Sequence, residues 1–171
     1  MTGPAGFSGL LLSGRAAHWE GNAVGATEGL ERAGRLAVTP LQWNSLAHAW
    51  LEVGRPARAV DWAERMRAAW LDGDKPLPPL SDLTLLIQLY AKCGAQKVAR
   101  PIVERAEALL DHEPQAWAMI ADAWIDVGND ERARELLENN PAVDDGAAWF
   151  AQGRAQSWAR LGDCERSDTL L

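Results

Sequence analysis

Residues 115–141 read QAWAMIADAWIDVGNDERARELLENNP. Trp117, Ile120, Ala121 and Trp124 recur at three- and four-residue steps, which puts them on one face of a helix. Gly128 follows, the residue type that adopts the left-handed conformation at which helices commonly stop. Asn129 then stands where an N-cap belongs, ahead of Asp130 and Glu131, and Ala133 and Leu137 begin a second apolar stripe. The stretch predicts a helix, a glycine turn and a second helix.

The same layout recurs along the chain. Taking Gly128 as the reference, the like-placed glycines are Gly21, Gly54, Gly94, Gly128 and Gly162, separated by 33, 40, 34 and 34 residues. Each is preceded by an apolar segment of helical spacing, such as LQWNSLAHAWLEVG or LTLLIQLYAKCG, and four are followed by a second one, such as PARAVDWAERMRAAWL. Pro40 after Thr39 and Pro56 just past its turn are helix-start signals. Pro101 falls inside a predicted helix and is expected near its first turn or at a kink. The long spacing of 40 is taken up by MRAAWLDGDKPLPPLS, whose prolines cannot continue a helix. That stretch is the one expected hinge; a single domain over 1–171 is expected, with units at about 5–38, 40–79, 80–112, 114–140 and a truncated 145–171.

Composition sets bounds on function. A chain of 171 residues with 47% hydrophobic and 24% charged residues has enough apolar surface for a folded domain. Its nine Trp against two Phe and one Tyr predict many half-buried indoles. Cys93 and Cys164 form no CxxC spacing, which argues against a disulfide framework or a zinc site. No basic n-region or membrane-length apolar run is present, so a cytoplasmic location is expected, with an organellar one left open. The net charge is −7, with eight basic and eight acidic side chains in residues 1–80 but nine and sixteen in 81–171. An acidic surface repels a phosphate backbone, which makes nucleic acid a poor partner.

The units resemble tetratricopeptide repeats, helix-turn-helix motifs of 34 residues. The family's early aromatic matches Trp43 and Trp117, its small residue Gly14, Ala47, Ala121 and Ala155, its second aromatic Trp50, Tyr90, Trp124 and Trp158, and its helix B alanine Ala26, Ala59, Ala99 and Ala133. Leu83, Ala151, Ile87 and Ser167 depart from the pattern. The resemblance implies an all-α α-solenoid, a superhelical stack of hairpins, whose first (A) helices line a concave groove. It implies a noncatalytic scaffold that binds a peptide or helix of another protein within a larger assembly. LYAKCG and WNSLAHAW also resemble pentatricopeptide repeats, which would imply single-stranded RNA as the alternative partner. At that family's base-reading position this chain has Ser45, Leu85 and Met119, of which only Ser45 is a polar reader.

The groove positions that the resemblance assigns are Arg15 and Trp19; Asn44, His48 and Glu52; Thr84, Gln88 and Lys92; Asp122 and Asp126; and Gln152, Gln156 and Arg160. Asp122 and Asp126 share a helix face at i and i+4; a solvated acidic face is the first expectation for such a pair, and receiving a partner's Lys or Arg is the functional alternative. The family's way of holding a chaperone's terminal carboxylate needs basic residues in helix A that this chain lacks beside Asn44. His18, His48 and His112 fall in different repeats with no ligand or catalytic spacing, so no metal, no cofactor and no enzymatic activity are expected. Trp19, Trp70 and Trp149 are the tryptophans expected to be partly exposed. The last unit shows no evident capping helix, so either the preceding B helix shields that end or an exposed Trp149, Phe150, Trp158 and Leu170 meet another subunit or partner; self-association or a partner contact is expected there.

Overall fold

The computed structural model describes residues 6–73, 76–110, 116–139 and 148–170. Every regular element among them is a helix: α1 (Phe7–Trp19), α2 (Ala23–Leu36), α3 (Pro40–Glu52), α4 (Pro56–Leu71), α5 (Leu80–Lys92), α6 (Gln96–Glu107), α7 (Trp117–Asp126), α8 (Asp130–Asn139), α9 (Ala148–Arg160) and α10 (Cys164–Asp168). The five period glycines all lie in the left-handed region, with φ between 72° and 79°. After each of them the next backbone N–H turns back onto the carbonyl five residues earlier, as Asn129 does onto Trp124 at 2.9 Å and Arg55 onto Trp50 at 2.8 Å. That bond closes a Schellman turn, and it is why the chain reverses at every glycine.

The start signals also act as the sequence predicts. Thr39 and Gln42 form a reciprocal capping box, and Pro40 and Pro56 occupy first-turn positions. Asn22, Asn129 and Asp163 each accept a backbone N–H of the helix that follows. Pro101 lies inside α6, in its second turn rather than its first, and the helix runs on to Glu107.

The chain divides into two compact units, Met1–Leu77 with Lys92–Gly94, and Pro78–Ala91 with Ala95–Leu171. The division falls within the Pro76–Pro79 stretch. In the first unit α1 packs on α2 and α3, α2 on α3, and α3 on α4. Leu10, Leu30, Leu46, Trp50, Trp62 and Met66 are buried there, together with the small residues Ala26, Ala33, Ala47 and Ala59. The α1–α2 crossing is the tightest point: a Cβ on Gly29 would stand 2.7 Å from the Cα of Gly14. Two glycines let the two backbones touch.

In the second unit α6 packs on α7, α7 on α8 and α9, and α9 on α10. Leu83, Ile87, Tyr90, Ile120, Trp124, Leu137 and Trp158 are buried. The fold is thus all-α, built of tetratricopeptide-like hairpins that pack in chain order within each unit. Of the two alternatives for the last unit, Trp158 follows the shielded one, because it is 3% exposed. The short α10 brings Arg166 back over the indole, its Cζ 4.5 Å from the ring centroid, while Arg166 also pairs with Glu138 at 2.6 Å. Leu170 is half-buried, and Trp149 and Phe150 lie outside the described side chains.

Candidate functional site

In the first unit, the positions two and six residues before each turn glycine share a side of the A helix, since i and i+4 lie one above the other. On α1 these are Trp19 and Arg15, and on α3 they are Glu52 and His48. Arg15 Nε donates to Glu52 Oε2 at 2.7 Å and Arg15 Nη2 to the other carboxylate oxygen. This bidentate pair ties α1 to α3 across one repeat. The same helical register carries exposed apolar side chains: Leu12 is 62% exposed, Trp19 74% and Leu41 72%. Asn44 is half-buried, and its Oδ1 is buried without a hydrogen-bond partner among the described residues. Trp70, also expected to be partly exposed, is half-buried.

His48 is half-buried too, and burial lowers its pKa below the ordinary 6.5, with the positive charges of Lys92 and Arg15 adding and Glu52 opposing. Lys92 is exposed and belongs with the first unit. The folded state therefore binds fewer protons at this site than the unfolded chain does. Stability from His48 is present above pH 6.5 and is lost as pH falls through the lowered folded value. Denaturant midpoints at pH 7.5 and pH 5 should show a smaller acid loss in His48→Gln than in the wild type; equal losses would contradict the assignment.

In the second unit Gln88, Gln152 and Gln156 are exposed, whereas Thr84 is buried and its hydroxyl donates to the Ser81 carbonyl at 2.9 Å. Thr84 offers no surface to a partner. Asp122 and Asp126 do share a face of α7, and Arg160 of α9 lies across both, with Nη1 2.9 Å from Asp122 Oδ1 and Nη2 2.5 Å from Asp126 Oδ1. The Asp122 contact is ionic rather than a directed hydrogen bond, since that oxygen has no aligned donor. Burial pushes the Asp122 carboxyl above its usual value, and Arg160 works against that shift. The cation that the functional alternative draws from a partner is thus already supplied by the chain. Both units use one device, an arginine of one A helix holding carboxylates of a neighbouring A helix.

Ser45, the one polar residue at the base-reading positions, donates its hydroxyl to the Leu41 carbonyl at 3.0 Å. Met119, at the equivalent place on α7, is 40% exposed and apolar. The RNA reading finds no support in these side chains. Leu12 and Leu41 were not among the assigned groove positions, and Met119 entered only as a base-reading position; the signal for all three was an apolar residue at a groove-register position of an A helix. The sequence reading also missed Glu107, which accepts Trp124 Nε1 at 2.7 Å and a guanidinium N–H of Arg132. No group of three His, Cys, Asp or Glu side chains that could hold a metal ion occurs among the described residues, and no described helix is long and apolar enough to cross a membrane.

Comparison with protein-family models gives no match, and neither does comparison with curated proteins. Among solved structures the chain is similar to one named MamA MSR-1 C2, at 16% identity and a TM-score of 0.48, covering 96% of this chain and 95% of that one. It is also similar to a crystal structure of MamA, at 15% identity and a TM-score of 0.47, covering 92% and 89%. Neither likeness bears on what this chain binds.

Proposed function

We propose that the chain is a noncatalytic protein-interaction scaffold that receives a peptide or amphipathic helix of a partner protein on its A-helix faces, as part of a larger cytoplasmic assembly. The observation that carries this reading is the exposure of Leu12, Trp19 and Leu41 in the helical register that also carries the Arg15–Glu52 pair in the first unit. Apolar side chains gathered on one face gain by leaving water, and an exposed Trp beside an ordered Arg is the kind of anchor that carries binding energy. A partner on the second unit meets Met119 and the Asp122–Arg160–Asp126 cluster, where a basic side chain has to compete with Arg160 for the carboxylates.

Affinity purification with quantitative mass spectrometry tests it, comparing the wild type with Trp19→Ala combined with Leu12→Ala. Both side chains are exposed, so circular dichroism should show an unchanged fold. Loss of at least one interacting protein by about tenfold or more is the expected result. An identical set of partners at identical levels would remove the proposal.

A further inference from the structure

The two units treat one repeat position differently. Counted from the turn glycines, Trp50 and Trp124 stand four residues before, Arg58 and Arg132 four after, and Asp61 and Glu135 seven after. In the second unit the preceding helix α6 brings Glu107, thirteen residues past Gly94, against this set. Its Oε2 accepts Trp124 Nε1 at 2.7 Å, its Oε1 accepts Arg132 Nη2, and Arg132 Nη1 reaches Glu135 at 2.7 Å. Thirteen residues past Gly21, in the first unit, stands Gly34. There the Trp50 indole N–H has no hydrogen-bond partner among the described residues, and Arg58, whose Cζ lies over the Trp50 ring at 5.9 Å from its centroid, reaches carboxylates only at long range, 3.4 Å to Glu31 and 4.0 Å to Asp61. A cleft of about 500 Å³ opens at this place, lined among others by Gly34, Arg35, Trp50, Arg58, Trp62 and Arg65.

We propose that this cleft binds a carboxylate carried by an acidic peptide segment of a partner protein. The carboxylate takes up the position between Trp50 Nε1 and Arg58 that the Glu107 side chain takes up in the second unit, making the same charge-assisted hydrogen bonds. Three arginines line the cleft against Glu31 and Asp61, so it is locally cationic on a chain of net charge −7. Arg35 holds no ion pair among the described residues, and Arg65 lies over the Trp62 ring at 4.3 Å with no carboxylate beside it. Those two guanidiniums are free to meet further acidic residues of the segment. A volume of this size exceeds what one carboxylate needs and falls in the range of roughly 300–1,000 Å³ typical of ligand pockets. A peptide therefore fits better than a lone small acid. The site is separate from the A-helix faces of the proposed scaffold function.

Heteronuclear NMR on the full chain tests this, following the Trp50 indole N–H resonance, identified by its loss in Trp50→Phe. The probes are an acetylated, amidated hexapeptide of Ala and Glu, its counterpart with Gln for Glu, and glutarate. The expected result is a saturable shift with the Glu peptide, and binding about tenfold weaker or worse for the other two. Gly34→Glu combined with Trp62→Leu rebuilds the Glu107 and Leu136 arrangement; the Leu is required because Trp62 Cζ2 lies 2.9 Å from where a Gly34 Cβ would stand. In that variant the Trp50 resonance should sit at its bound position without peptide and stop responding. Arg58→Gln, an exposed change that leaves the fold intact, should abolish the response independently. Trp19→Ala should leave it unaltered, which separates this site from the A-helix face. No Trp50 shift at millimolar Glu peptide, or an equal response to the Gln peptide, would overturn the proposal. An equal response to glutarate would overturn its commitment to a peptide.

Discussion

Trp124→Ala is expected to lower the stability of the second unit by about 3–5 kcal/mol, the usual loss for truncating a buried tryptophan. The indole is 4% exposed, on the helix α7 that packs against α6, α8 and α9. Its N–H is also one of the two bonds that satisfy Glu107, a carboxylate with only 19% of its side chain exposed. Removing the ring leaves a cavity and leaves Glu107 dependent on Arg132 alone. Trp124→Phe separates the two effects, since it keeps most of the ring and deletes the donor; it should cost about 1–3 kcal/mol, the penalty of leaving a buried acceptor short of a partner. Denaturant titration with hydrogen exchange resolved to α6–α8 is the measurement. A loss under about 1 kcal/mol for Trp124→Ala would mean that the site collapses around the deletion and that the indole is not a packing element.

Gly29→Ala is the second large effect, and its sign is opposite to what helix propensity predicts. In an open helical position the change gains about 0.8–1 kcal/mol. Here the new methyl would meet the Gly14 Cα at 2.7 Å, the Gly14 nitrogen at 2.9 Å and the Leu10 carbonyl oxygen at 3.5 Å. All three belong to backbone, so relief requires α1 to move away from α2, and the expected net cost is about 1–3 kcal/mol. Gly153→Ala is the internal control, because among the described residues its Cβ would meet only Ala118 Cβ, at an ordinary 3.6 Å. That substitution should stabilise by roughly the propensity gain. Thermal or denaturant unfolding of both variants checks the pair, and a stabilising Gly29→Ala would show that the α1–α2 contact is looser than the structure has it.

The paired fate of these glycines shows how far the sequence could be read. Gly21, Gly54, Gly94, Gly128 and Gly162 announced themselves through a period, and their left-handed φ follows because only glycine adopts that conformation without strain. Thr39 with Gln42, and Asn129 ahead of Asp130, were legible because a cap is a contact between residues three apart. Gly14 was legible as a small residue of the repeat, but its contact with Gly29 was not, since nothing in a one-dimensional pattern says how closely two helices approach.

The candidate site divides along the same line. Which side chains occupy the A-helix faces was determined by the sequence alone, because the register of a helix follows from 3.6 residues per turn, and Arg15, Trp19, His48, Glu52, Asp122, Asp126 and Arg160 all fall where that register puts them. Their pairing was decided only by tertiary structure. Arg15 and Glu52 are 37 residues apart and Arg160 and Asp126 34 apart, so whether they meet depends on the distance and rotation between two packed helices. The same holds for Thr84, turned inward to Ser81, for Trp158, covered by Arg166, and for Trp50, whose N–H has no partner among the described residues, Gly34 standing where the other unit places Glu107. Local geometry is written in neighbouring residues; charge pairing and burial arise from packing between residues far apart in the chain.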